Sequence, residues 1–129
     1  MNEDKYLAIR SVMLPKDTNY MGNIFGGHLL SLIDLAAAQH AATISQQKFV
    51  TKLVKEVNFI APVFVGDAVN FYTETVKRGN SSISVKVTVE AQRYRDNCKT
   101  EKVTAAEITL VAVDENNNPS KIVPNNCKI

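Results

Sequence analysis

Apolar and polar residues alternate most cleanly in "SSISVKVTVEAQRY", where Ile83, Val85, Val87, Val89 and Ala91 interleave with Ser84, Lys86, Thr88, Glu90 and Gln92. A period of two sends the two sets to opposite sides of the backbone, so this segment predicts a strand with one buried face. "VTKLVKEVNFI" (50–60) and "DAVNFYTETVKR" (67–78), separated by "APVFVG", read as strands before it, and "VTAAEITLVAV" (103–113) as one after it. Gly79-Asn80 offers a tight turn, "RDNCK" turns the chain into the last strand, and "DENNNP" ends it. Near the start, "YLAIRSVML" (6–14) suits a strand that the Pro15 to Gly27 segment interrupts with Pro, Asp, Asn and Gly.

From about Gly27 to Ser45 the period lengthens. The residues are small or unbranched, Gly and Pro are absent from the interior, and Leu30, Asp34, Ala37 and Ala41 share one face. The expected order is strand, long helix, then four strands in a meander, with an Asn-rich tail that is loose from about residue 120. One helix and an antiparallel sheet make an α+β domain in which the helix buries its apolar face on the sheet.

A chain of 129 residues fits one domain, 1–129. A formal charge of +2 is too small to imply a nucleic-acid groove or a membrane-seeking surface, so neither partner is expected. "MNEDKY" lacks the basic and apolar character of an export signal, and the longest apolar run, "LLSLIDLAAAQHAA", is short for a span and holds Asp34. A cytoplasmic protein is expected. Cys98 and Cys127 lack metal-ligand spacing and are expected to have no role.

Four blocks in order, "LPKDTNYMGNIFGGHLLSLID", "NFIAPVFVGDAVNFY", "KRGNSSISVKV" and "LVAVDENNNPSKIVP", resemble the bacterial hotdog-fold acyl-CoA thioesterases of the YciA-like group. The resemblance runs from about residue 7 to residue 124. It implies a hotdog fold, in which a sheet of about five antiparallel strands wraps one long central helix. It also implies thioester hydrolysis in which the helix acid acts, and Asp34 occupies that place. Asn19, in "DTN", matches the family's second polar active-site residue. The family further implies homodimers whose sites lie between subunits, assembled as trimers of dimers into hexamers. Two departures bear on substrate preference more than on reaction type: Phe25 stands where many relatives carry His, and His28 follows the glycine pair.

The chemistry fits these residues. Thioester hydrolysis needs a nucleophilic water or carboxylate, a donor for the oxyanion and a place for the acyl-CoA. Asp34 can serve as general base or as direct nucleophile, and its apolar neighbours Leu30, Ala37, Ala38 and Ala41 should partly desolvate it. A helix cap is excluded for Asp34, because seven residues from Gly27 is about 10 Å of helix and end effects fade within one turn. A core acid satisfied by polar neighbours is the plain alternative. Gly26 and Gly27 bring unpaired helix-start N–H groups that a carbonyl oxygen can approach closely, although a sharp turn alone would also explain them. A helix start and an acid about 10 Å along the same rod cannot both grip one carbon, whereas a two-fold dimer brings one chain's Gly26-Gly27 and Asn19 to the other chain's Asp34. Asn19 and Asn23 are also good turn residues, and Asn23 is assigned to the turn alone.

Lys77, Arg78, Gly79, Ser81 and Ser82 form the candidate CoA contact, through charge, backbone and hydroxyl donors suited to phosphate; an ordinary hairpin turn is the alternative. Val57, Asn58 and Phe59 match the family's site-lining strand. His40 and His28 each lie about 120° around the helix from Asp34, so neither makes an Asp–His pair there, and no third ligand suggests a metal. The reading is therefore an acyl-CoA thioesterase with no metal or other cofactor, CoA being part of substrate and product. Its rivals are a hotdog 3-hydroxyacyl thioester dehydratase and a non-catalytic acyl-CoA sensor.

Overall fold

The computed structural model describes residues 5–125. Five strands, β1 (Tyr6–Val12), β2 (Lys48–Lys55), β3 (Ala68–Arg78), β4 (Ser82–Arg93) and β5 (Lys99–Val113), form one sheet in the order β1-β3-β4-β5-β2. Every neighbouring pair is antiparallel, and one helix, α1 (Gly26–Ile44), packs on the sheet. This is the expected α+β, single-helix architecture, with one difference in topology. Only β3, β4 and β5 form a meander; β2 pairs with β5 at the outer edge, Lys48 opposite Val113. The physical reason lies just after β2. The strand stops at Lys55 instead of Ile60, where Glu56 takes a left-handed φ of 59° that carries the chain out of the ladder. The long segment that follows crosses the end of the sheet and lets β3 start on its far side.

The helix buries Leu29, Ile33, Ala36, Ala37, His40 and Ala41. That stripe is rotated by one residue from the expected face: Ala37 and Ala41 lie in it, while Leu30 is exposed and Asp34 sits half-buried at its border. The small side chains at 36, 37 and 41 let the helix approach the sheet, where it meets Val69, Phe71, Val85, Val87 and Val89 in one core. Burying each of those valines contributes about 1.5–3 kcal/mol relative to leaving it exposed.

His40 is the one titratable side chain in that stripe. Its Nδ1 lies 2.9 Å from the Thr73 hydroxyl and its Nε2 2.8 Å from that of Thr75, so a neutral ring has a partner at each nitrogen. Burial pushes its pKa below the usual 6.5. The unfolded chain therefore takes up this proton at higher pH than the folded one, and the resulting stability is complete above the unfolded value and lost as pH falls toward the folded one. Between about pH 7 and pH 5, wild type should lose more stability in urea titrations than His40→Gln, whose side chain does not titrate there.

The segment from residue 120, expected to be loose, is fastened as far as residue 125. Ser120 N–H donates to Ala112 O, Ile122 N–H to Asn80 O and Asn125 N–H to Ile44 O, while Ile122 is buried. Residues 126–129, including Cys127, lie outside the described residues. No described helix is long and apolar enough to cross a membrane.

Candidate active site

The start of α1 has no side-chain cap. Phe25 N–H donates to Asp17 O at 2.8 Å, and Phe25 O accepts from His28 N–H at 3.0 Å and Leu29 N–H at 3.3 Å. The N–H groups of Gly26 and Gly27 are left without an acceptor among the described residues. The next N–H, that of His28, is engaged by Phe25 O.

The two glycines open on different sides. Gly26 lines a cleft of about 370 Å³ with Asn19, Leu29, Phe59 and Pro62. A Cβ at Gly26 would rest 3.9 Å from the Phe59 ring, an ordinary contact, whereas one at Gly27 would come within 2.4 Å of the Phe25 ring. Gly27 borders a smaller cleft with Lys16, Asp17, Phe25 and His28. There the Asp17 carboxylate accepts Leu14 N–H at 3.0 Å, which holds its pKa below the usual value, aided by His28 at 3.6 Å and Lys16 at 3.7 Å.

Asn19 serves its turn with one half of its amide. Oδ1 accepts the N–H groups of Met21 at 2.9 Å and Asn23 at 3.1 Å. Both partners are donors, so the amide orientation is determined and Nδ2 is left without a partner among the described residues, in a side chain that lines the cleft. The turn role and a donor role are thus compatible in one side chain.

Asp34 accepts a hydrogen bond at Oδ1 from the Thr51 hydroxyl on β2, at 2.6 Å, and Oδ2 has no partner among the described residues. Thr51 was not legible as a site residue: it belongs to another element, and no local pattern marks its pairing with the helix. The two residues sit where α1 meets the edge strand. That edge carries exposed Val50, Leu53 and Val54, with Leu30 and Leu35 exposed on the helix nearby in sequence to Asp34. An apolar edge strand with unpaired backbone groups is a ready surface for a second chain.

The substrate-contact candidates are dispersed. Of Val57, Asn58 and Phe59, none is in a strand: Val57 packs half-buried against the core, the Asn58 carbonyl accepts the Thr104 hydroxyl at 2.6 Å, and only Phe59 lines the cleft. Lys77 and Arg78 end β3 with exposed side chains, and Gly79 N–H closes the hairpin on Ser82 O at 2.8 Å. Ser81 O accepts Ala112 N–H. Ser82 stands opposite Val111 of β5, whereas the cleft loop is tied to β5 at Val103 by Ile60 N–H. Eight strand residues separate those points, about 27 Å. A single chain therefore holds the cleft at the helix start apart from the Asp34–Thr51 pair, about 10 Å along the helix, and from the hairpin, which lies at the Thr51 end of the sheet, where Thr51 stands opposite Leu110 and Ser82 opposite Val111.

Comparison with known proteins agrees with this architecture. The Thioesterase superfamily model matches residues 21–98. The acyl-CoA thioester hydrolase YciA of Salmonella typhimurium is 38% identical over 115 residues, covering 88% of this chain and 86% of that protein. A hexameric hotdog-fold thioesterase of Campylobacter jejuni is 42% identical, with a TM-score of 0.83 over 91% of this chain and 90% of its own. An acyl-CoA hydrolase of Staphylococcus aureus, 27% identical with a TM-score of 0.81 over 95% of this chain and 74% of its own, has been solved with an aspartate replaced by alanine and, separately, with a threonine replaced by alanine. Those two positions are separated by the same 17 residues as Asp34 and Thr51. Fold, sequence identity and matched length agree, and the chain belongs to the thioesterase superfamily, within the YciA-like group of hotdog-fold acyl-CoA thioesterases.

Proposed function

We propose that this chain hydrolyses acyl-CoA to a free carboxylic acid and CoA in sites shared between two subunits. The observation that carries the reading is the 2.6 Å hydrogen bond that holds Asp34 on Thr51 at the apolar edge of the sheet. With Oδ1 fixed, Oδ2 is presented to an incoming water or directly to the thioester carbon, as general base or nucleophile. The Gly26 and Gly27 N–H groups polarise the thioester carbonyl, and Asn19 Nδ2 donates to it or orients the water. Asp34 faces β2, away from its own helix start, and reacting atoms must come within about 3–3.5 Å. The neighbouring chain's helix start supplies the donors, docked along β2 in a two-fold dimer, and three such dimers form the hexamer seen in the Campylobacter jejuni relative.

Phe59 forms the wall against which the acyl or pantetheine chain lies, with Val57 and Asn58 behind it. Lys77, Arg78, Gly79, Ser81 and Ser82 meet CoA phosphates from a hairpin that, being distant from its own cleft, serves a site completed by another chain. Catalysis of this kind draws on water and these side chains, with no metal or redox cofactor.

Thiol release from a panel of acyl-CoAs tests the reading, with Thr51→Val as the informative variant. Losing a hydrogen bond to a charged group costs about 1.5–3 kcal/mol, so kcat should fall roughly tenfold or more, with Thr51→Ser retaining most of it. Acyl-CoA binding by wild type without thiol release would instead make the protein a sensor, and an enoyl product would make it a dehydratase.

A further inference from the structure

The cleft at the helix start has one wall without regular secondary structure. Residues 59–63 border the cleft, yet they belong to the irregular segment between β2 and β3. Backbone bonds hold this wall at Ile60, whose N–H donates to Val103 O, and at Val63, whose carbonyl accepts Ile24 N–H. Between them, the Pro62 carbonyl turns to the other side and accepts Arg93 Nη2 at 2.5 Å.

Arg93 ends β4, and its other two nitrogens are also engaged. Nε reaches Asp67 Oδ2 at 3.2 Å, Nη1 reaches Glu101 Oε2 at 2.6 Å, and the guanidinium carbon lies 4.9 Å from the centre of the Phe64 ring. Asp67 in turn accepts Phe64 N–H at 3.0 Å, so the second half of the same loop is gathered on the same cation. The Arg93 side chain is only 14% exposed. Burial opposes its charge, but the Glu101 and Asp67 carboxylates outweigh this and hold its pKa above the usual value. One planar fork thus joins β4, β5 and two points of the loop, a task that a lysine, with a single nitrogen, cannot reproduce.

We infer that Arg93 is a positioning residue for substrate binding: through the Pro62 carbonyl it sets the place of the Phe59–Val63 wall against the helix start. The inference rests on the cleft being the acyl-CoA site proposed above. Loss of Arg93 leaves the wall without its hold at Pro62, so the cleft should bind substrate less well while Asp34, on a different element, keeps its chemistry. The effect should appear in KM and in ligand affinity more than in kcat.

The test compares Arg93→Lys, Arg93→Met and Glu101→Gln in the full-length oligomer, measuring kcat, KM, Tm and the Kd of a non-hydrolysable acyl-CoA thioether. Glu101→Gln is the control, since it perturbs the same cation without touching the loop carbonyl. We expect KM and Kd to rise about tenfold or more in Arg93→Met and at least about threefold in Arg93→Lys, with kcat within about threefold of wild type. Glu101→Gln should lower Tm yet leave KM and Kd within about twofold. Wild-type affinity in folded Arg93→Lys, or an equal loss in Glu101→Gln, would overturn the inference; Arg93→Lys decides the matter if Arg93→Met does not fold. A wild type that binds the thioether in an Arg93-dependent way but releases no thiol would sink the proposed activity and leave the positioning role standing. A wild type that does not bind the thioether would remove both.

Discussion

Asp34→Ala should lower kcat for CoA release by at least about 10²-fold, with the oligomer and its Tm retained. The size of the loss follows from the role: without the carboxylate, neither water activation nor direct attack is available. The retained stability follows from the environment. Asp34 makes one hydrogen bond, to Thr51, so its removal leaves no charge unpaired, and the water that a hydrolytic site must admit can satisfy the freed hydroxyl. Asp34→Asn keeps shape and a hydrogen-bond acceptor but not the basic oxygen, and should fall as far. Steady-state thiol release with a parallel sizing run checks both variants. An Asp34→Ala protein within tenfold of wild type would move the chemistry elsewhere.

Gly26→Pro should lower kcat by about 10²–10³-fold, the usual loss for one oxyanion donor. The substitution is chosen because the fold accepts it. Gly26 is the first helical residue, where proline's fixed φ suits the helix and its missing N–H interrupts no helical bond. Phe25, just before it, has a ψ of 126°, the extended conformation that precedes proline without strain. A Cβ there meets Phe59 at an ordinary 3.9 Å. Gly26→Ala, which adds the same Cβ and keeps the N–H, should stay near wild type. Equal activity in the proline and alanine variants would show that the Gly26 N–H does not touch the oxyanion. Gly27 allows no such clean comparison, because any Cβ there displaces the Phe25 ring.

These predictions draw on features that differ in how far the sequence reveals them. The strand centred on Val87 was legible because strict alternation has one physical meaning on a half-buried strand, and the helix was legible from its unbroken run of small and unbranched residues. The helix face was misread by one residue. Leu30, Asp34, Ala37 and Ala41 satisfy helical spacing as well as Leu29, Ile33, Ala37 and Ala41 do, and only packing on the sheet chose between them. The place of β2 was not legible either, since pairing with β5 across the intervening strands is a tertiary outcome; the visible trace is Glu56, a non-glycine in a left-handed conformation. The asparagines suggest a loose tail, whereas over residues 120–125 Ile122 supplies a buried anchor.

The candidate site divides in the same way. Asp34, Asn19 and the glycine pair stood out by type and by resemblance, and the structure leaves each with an unused donor or acceptor. Thr51 and Arg93 did not stand out, because each acts through a partner distant in sequence. Lys77 to Ser82 read as a local phosphate site, and a single chain holds them about 27 Å along β5 from the cleft loop. That separation, together with the length of helix between Gly26 and Asp34, is why the proposed mechanism calls on a second subunit.

Mixing two inactive variants tests that requirement most directly. Asp34→Ala and Gly26→Pro are each expected to be nearly inactive, yet a mixed dimer contains one site built from intact Asp34 of one chain and intact Gly26 of the other. After co-refolding or co-expression at equal amounts, half the dimers are mixed and half of their sites are whole, so activity should recover to about one quarter of wild type. Recovery to that level is the result the account predicts. A mixture no more active than its separate components, with subunit exchange confirmed by mass, would place Asp34 and the Gly26 amide in the same chain's site and contradict it.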